Sequence, residues 1–193
     1  MQRRYFISNR GNESPIITGF LFGDLMSEIS RAVLGDDVYL FNEQYVVKAA
    51  QKQNKFSWHQ DSGYVGYYHK PYLSCWCALD DMSVENGTIY VLPYERAGMQ
   101  PDDLIDHTME DTSADMVGYH GDDPGDAVIV PAGSIAVFSS RTFHRSGPNT
   151  TDKLRRSYLA QYSVEPIMTK DGSAVKNQAV PLWRGGERQP APL

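Results

Sequence analysis

Five histidines, His59, His69, His107, His120 and His144, are the only imidazoles in the chain, and two of them open the same triplet pattern, His59-Gln60-Asp61 and His120-Gly121-Asp122. An imidazole and a carboxylate two residues apart project to the same side of an extended segment. A second imidazole from a distant strand would complete two nitrogens and one oxygen on one face of a metal ion, with the opposite face open. That set suits Fe(II) and oxygen chemistry. His144 fits the distant role, because it follows the β-rich residues 133–139 and precedes the turn Ser146-Gly147-Pro148-Asn149. Separation then discriminates between the triplets. His144 lies 85 residues after His59 but only 24 after His120. The shorter interval holds about one hairpin, whereas a barrel interposes several strands between its two ligand sources. This favours His59, Asp61 and His144 as the metal set and places His120 in an acidic surface turn, Tyr119 to Asp126. His69, beside Lys70-Pro71, and His107, in an acidic stretch, are expected to be solvated.

The elements that must position these groups are mostly strands. Leu25, Met26, Ile29, Val33 and Leu34 recur at near-helical spacing over residues 23–34, and Gly35 supplies a stop, which predicts one helix. Short β-rich runs follow at 38–41, 44–48, 72–79, 88–92, 127–130, 135–139 and 157–164, punctuated by Asn86-Gly87, Pro124-Gly125, Ala132-Gly133 and Gly147-Pro148-Asn149. Many short strands with Gly and Pro turns predict a sandwich or barrel. Residues 100–126 read as a long acidic excursion. The tail after Pro166 reads as a segment draped over the surface. The whole chain, 1–193, is expected to form one domain with its core at about 25–165 and a tail over 166–193.

Composition narrows the partners. A net charge of −6 with no basic stripe argues against nucleic acid and anionic membrane surfaces. Apolar runs are far too short for a membrane span, and Met1-Gln2-Arg3-Arg4 precedes no apolar stretch of the kind a secretory signal needs. Two cysteines, Cys75 and Cys77, are too few for a disulfide framework, so a reducing cytoplasm is the expected setting. A small-molecule partner remains, and the sequence leaves the oligomeric state open.

Four segments, in order, carry a family resemblance over residues 25–164. Phe56-Ser57-Trp58-His59-Gln60-Asp61 is one. Trp76-Cys77-Ala78-Leu79-Asp80-Asp81 is the second, and Glu85-Asn86-Gly87-Thr88 with Val91-Leu92-Pro93 the third. His144-Arg145-Ser146-Gly147-Pro148-Asn149 followed by Arg155-Arg156 is the fourth. Together they resemble the phytanoyl-CoA dioxygenase-like (PhyH) group of Fe(II)- and 2-oxoglutarate-dependent oxygenases. The resemblance implies a double-stranded β-helix, a cupin-like jelly roll, with one or two flanking helices. It implies Fe(II) on His59, Asp61 and His144, with 2-oxoglutarate as cosubstrate and O2 as oxidant, giving succinate and CO2 as a small metabolite or natural-product intermediate is hydroxylated. Halogenating relatives carry a small residue where Asp61 stands, so its carboxylate implies oxygen insertion.

The resemblance also implies an anchor for the far carboxylate of 2-oxoglutarate. A guanidinium fork pairs with a carboxylate through two charge-assisted bonds, and Arg155, eleven residues after His144, has the family's spacing. Arg156 would face the other side of the strand and form a surface ion pair. Ser146 would place a hydroxyl on the same carboxylate, and Trp76 and Lys48 match positions lining the cosubstrate pocket. Trp58, Tyr64, Tyr67, Tyr68, Arg141 and Arg145 stand near the metal residues in sequence. Of these Trp58, Tyr64, Tyr68 and Arg141 are the substrate candidates. Two departures from the family stand out: Pro93-Tyr94-Glu95-Arg96 replaces the usual P-G-S-H, and the N-terminal helical region is short. A coenzyme A thioester is therefore not implied. Two rival readings share the histidines, a cupin-like metal protein of another reaction class and a jelly-roll binding module without turnover.

Overall fold

The computed structural model describes residues 4–50, 55–110 and 115–192. In chain order the described elements are β1 (Arg4–Ser8), α1 (Pro15–Leu21), α2 (Asp24–Leu34), β2 (Val38–Lys48), β3 (Phe56–His59), β4 (Leu73–Ala78), β5 (Ile89–Leu92), α3 (Tyr94–Ala97), β6 (Thr108–Met109), β7 (Met116–Val117), β8 (Asp126–Ala127), β9 (Ile135–Ser139), β10 (Phe143–Ser146), β11 (Arg155–Ser163), β12 (Val180–Arg184) and β13 (Glu187–Arg188).

The strands form two facing antiparallel sheets, a double-stranded β-helix. The larger runs β13-β12-β2-β11-β4-β9, with β1 also paired to β2; the smaller runs β3-β10-β5-β8. Period-two alternation along β11 and β4 splits their side chains between two surfaces. Leu73, Cys75, Cys77, Tyr158, Ala160 and Tyr162 face outward, where Leu21, Phe22 and Met26 of the helical segment cover them. Ser74, Trp76, Arg155, Leu159 and Gln161 alternate with them and face the smaller sheet. The outer face is an ordinary apolar core, in which each fully buried aliphatic or aromatic side chain contributes about 1.5–3 kcal/mol.

The helix expected over 23–34 is α2, and it ends where Gly35 adopts φ +92. α1 is the second of the one or two flanking helices that the resemblance implied, though the apolar spacing did not locate it. It is only seven residues long, carries a glycine inside and leaves Ile16 exposed, so it has little amphipathic signature. The runs 38–41 and 44–48 are one strand. Glu43, which lies between the two runs, is buried within the strand and accepts hydrogen bonds from the Gly11 N–H (2.8 Å) and the Tyr158 hydroxyl (2.7 Å).

The segment after Pro166 corrects the sequence reading. It does not drape over the surface: β12 pairs with residues 38–40 of β2, beyond the reach of β1, and Leu182 is buried in the outer core. An open sheet edge is a liability, and this segment covers it. Residues 100–126 do form an excursion, with the short β6–β7 ladder, and of these 111–114 lie outside the described residues. Its end is tied down by Arg96, which pairs with Asp123 and Asp126. Among the described residues no helix is long and apolar enough to cross a membrane.

Candidate metal centre

β3 and β10 are antiparallel neighbours whose register places His59 directly opposite His144. Cross-strand partners share a face, so the pairing brings the two imidazoles together, with ring centroids 4.2 Å apart and the planes tilted by 56°. The chain stays extended through Gln60 and enters a 3-10 turn at Asp61, which returns the carboxylate to the His59 side. The Oδ1 atom of Asp61 lies 3.9 Å from His59 Nε2 and 3.5 Å from His144 Nε2. Among the described residues this trio is a group whose potential ligand atoms all fall within 4.8 Å of one another.

The hydrogen bonds fix which atoms face inward. His59 Nδ1 is 2.7 Å from the Ser57 carbonyl and His144 Nδ1 is 3.1 Å from the Thr142 carbonyl. A carbonyl only accepts, so both Nδ1 atoms carry the proton and both Nε2 atoms present a lone pair, the tautomer a metal ligand needs. Asp61 Oδ2 faces away and accepts from Ser74 Oγ at 2.7 Å and Gln161 Nε2 at 2.9 Å. Two nitrogen lone pairs and one carboxylate oxygen thus converge, a donor set that fits a divalent transition metal with open positions.

Gln60 projects to the opposite side, is fully buried, and fastens the excursion to β3. Its Nε2 donates to the Asp103 and Arg141 carbonyls, and its Oε1 accepts from Ile105 N–H. Its own N–H donates to His107 Nε2 at 2.9 Å. His107 is therefore not a solvated loop histidine. Its ring fills space against Gly63 and Gly118, where a Cβ on either glycine would come within 2.7 Å of it, and burial lowers its pKa. His69 is likewise buried, stacked on Tyr72 at 5.5 Å with its pKa lowered by desolvation. His120 and Asp122 are both exposed.

The trio lies in the wall of a cavity of about 650 Å³ between the two sheets, which Trp76, Ser146 and Arg155 also line. Arg155 is 1% exposed. Its guanidinium donates to two neutral acceptors, Ser157 Oγ and the Gly87 carbonyl, each at 2.9 Å, and its Nε has no acceptor among the described residues. Burial pushes it down to about 10, so it remains charged at neutral pH. Gly87 must be glycine here: its φ is +77, and a Cβ would stand 2.5 Å from the Gly147 carbonyl oxygen. Arg156 points outward and pairs with Asp80. Lys48 is buried rather than a solvated strand residue, and its ammonium donates to Ser146 Oγ (2.6 Å) and the Gly147 carbonyl (2.5 Å).

Of the substrate candidates only Tyr64 reaches the cavity, with its ring edge-on to His59 at 5.4 Å. Trp58, the neighbour of His59 in an alternating strand, projects to the back of the small sheet among Leu92, Met99 and Phe143. Tyr68 is 87% exposed and stands outside the cavity wall. Arg141 is buried and donates to the His69 carbonyl at 2.7 Å, bracing two loops. Tyr67 bonds the Met168 carbonyl, and the Arg145 guanidinium lies 3.9 Å above the Tyr90 ring. Ser74, Gln161 and Asn42 carried no sequence signal by type. Parity along β11 was the available clue, since Gln161 shares the inward face with Arg155.

The family model for phytanoyl-CoA dioxygenase (PhyH) matches residues 8–157. The chain is 28% identical over 140 residues to a probable alpha-ketoglutarate-dependent hypophosphite dioxygenase of Stutzerimonas stutzeri, covering 70% of this chain and 49% of that protein. It is 24% identical over 198 residues to an ectoine dioxygenase of Sphingopyxis alaskensis, covering 91% of this chain and 63% of that one. Among solved structures it resembles the apo form of a non-heme monooxygenase, ThoJ, with a TM-score of 0.68 and 21% identity over 82% of this chain and 58% of that one. The chain thus spans about half to two thirds of the length of each.

Proposed function

Because the chain belongs to the phytanoyl-CoA dioxygenase (PhyH) family, we propose that it is an Fe(II)- and 2-oxoglutarate-dependent dioxygenase acting on a small molecule as a single domain. In this reading His59, Asp61 and His144 hold the metal and Arg155 anchors the cosubstrate. One observation carries it: a convergent pair of Nε2 lone pairs and a carboxylate oxygen share one cavity with a buried guanidinium bonded only to neutral acceptors. Asp80 acts on this cation only at a distance; a buried cation with no carboxylate bonded to it is costly, and a dianionic ligand that reaches from the metal to Arg155 offsets that cost.

When bound, iron and 2-oxoglutarate supply oxygen activation coupled to decarboxylation, with succinate and CO2 as coproducts and one oxygen atom for the substrate. The chain's own residues bind, orient and exclude. The Ser57 and Thr142 carbonyls hold both imidazoles in the ligating tautomer. Asp61 would offset part of the metal's charge and occupy the ligand position that a halide would need, which argues against halogenation. Arg155 takes the far carboxylate through charge-assisted bonds, and Ser146, oriented by the Lys48 ammonium, adds a hydroxyl beside it. Trp76, Phe138 and Leu159 make that end of the cavity apolar and keep water from the bound ligands. Tyr64 stands over His59 toward the mouth, where a substrate would approach.

The test is succinate release from 2-oxoglutarate, followed across a panel of small metabolites with and without Fe(II). Release that needs both Fe(II) and 2-oxoglutarate supports the reading. Metal uptake without 2-oxoglutarate binding would point to a cupin of another reaction class, and neither would point to a binding module.

A further inference from the structure

Asp61 Oδ2 ends a row of polar side chains that runs straight across three adjacent strands of the large sheet. Asn42 of β2 is the register partner of Gln161 of β11, and Gln161 is in turn the partner of Ser74 of β4. All three sit on the inward face at one level. Asn42 Nδ2 donates to Gln161 Oε1 at 2.9 Å; Gln161 Nε2 donates to Asp61 Oδ2 at 2.9 Å and to Ser74 Oγ at 3.0 Å; Ser74 Oγ donates to Asp61 Oδ2 at 2.7 Å.

The chemistry gives the row one direction. Asp61 as a carboxylate only accepts, so the amide of Gln161 must turn its nitrogen toward Oδ2 and its oxygen toward Asn42. Asn42 supplies the donor that holds that orientation. Ser74 is fully buried and Gln161 is 4% exposed, so these bonds are largely shielded from bulk water. Oδ2 therefore carries two donors, leaving Oδ1 as the atom turned to His59 and His144.

We infer that Gln161, oriented by Asn42 and assisted by Ser74, is a positioning residue that restricts Asp61 to a single ligating oxygen. The inference rests on the metal reading above and deepens it. With Oδ2 occupied, Asp61 would offer a bound metal one oxygen rather than two, leaving more of its coordination sphere to cosubstrate and oxygen. Without the amide, Oδ2 is free to swing toward the metal or to leave Oδ1 misdirected. Asn42 and Gln161 also line the cavity, so a substrate touching this wall sits two bonds from the metal ligand.

The experiment uses Co(II) as a spectroscopic stand-in on the full chain, measuring affinity by calorimetry, visible absorption, and thermal unfolding of the metal-free protein. Gln161→Met keeps length and removes the donor; Ser74→Ala removes the hydroxyl. Loss of a partner behind a metal ligand costs about 10–100-fold in metal affinity. The expected result is Co(II) binding weakened about tenfold or more in Gln161→Met, and in the same direction in Ser74→Ala. The visible band should change intensity as the coordination number changes, while the metal-free protein melts close to the wild type. Unchanged Co(II) affinity and spectrum in both variants would overturn the inference, as would a loss of melting temperature with the metal properties intact. If Gln161→Met fails to fold, Ser74→Ala decides alone. Wild-type protein that takes up no Co(II) would remove the metal reading and the row's role together, whereas variants that bind as well as the wild type remove only the row.

Discussion

The two H-x-D triplets have the same spacing and opposite fates. His59-Gln60-Asp61 lies at the end of β3, with the His59 Nδ1 proton placed by the Ser57 carbonyl and the carboxylate's outer oxygen held by two donors. His120-Gly121-Asp122 is an exposed turn in the acidic excursion. The middle residue makes much of the difference: Gln60 makes side-chain bonds to Asp103, Ile105 and Arg141, whereas Gly121 offers no side chain to bond with. Two ligand types at the right interval are thus not enough. A site needs a strand partner that supplies the third ligand and buried bonds that fix the inward atoms. The neighbouring arginines make the same point, since burial and an unfilled fork set Arg155 apart from the ion-paired Arg156.

Substitution at the triplets should separate them most widely. His59→Ala or His144→Ala removes one of three proposed ligands, so Fe(II) affinity by calorimetry should fall beyond the roughly 10–100-fold that loss of an outer partner costs. His120→Ala should stay within about twofold of the wild type, as expected for an exposed side chain. The arginine pair comes next. Arg155→Ala should weaken 2-oxoglutarate binding by about tenfold to a hundredfold, because each charge-assisted bond contributes about 1.5–3 kcal/mol; Arg156→Ala should leave it unchanged. The sign with pH follows from burial lowering Arg155 to about 10: the cation is present at neutral pH, so affinity should fall only as pH rises through that value.

Gln60→Ala removes three side-chain bonds to backbone groups, of which that to the Arg141 carbonyl is buried, and should destabilise the fold by about 1–3 kcal/mol, read as roughly 2–12 °C in melting temperature. Arg156→Ala should change stability far less, since its ion pair with Asp80 lies at the surface. The hydrogen bond from Arg156 holds the Asp80 pKa below its ordinary value. Its contribution is therefore full above the ordinary carboxylate range and lost as pH falls through the lowered value. Urea titrations of the two proteins should converge in acid.

The grouping of His59, Asp61 and His144 was legible because it rests on residue type, spacing and the family's order of segments. The strands that perform it were less so. β3 and β10 are four residues each, with sequences FSWH and FHRS. They are held extended by pairing with each other, not by local propensity. Sequence distance misled on Trp58, Tyr68 and Arg141, because proximity along a strand says nothing of face and a loop can turn a residue away. His69 and His107 were underestimated because their polar neighbours in sequence are not their neighbours in space. The tail was misread because β12 is only five residues long and holds a proline, which weakens its β signature, although Leu182 anchors it in the core. The row through Gln161 depends on register across three strands, which no single segment encodes.

A crystal structure grown anaerobically with Mn(II) and 2-oxoglutarate would decide the matter. The expected density places the metal on His59 Nε2, His144 Nε2 and Asp61 Oδ1, with the far carboxylate of the cosubstrate on the Arg155 fork. Metal bound elsewhere, or a cosubstrate lying away from Arg155, would contradict the account.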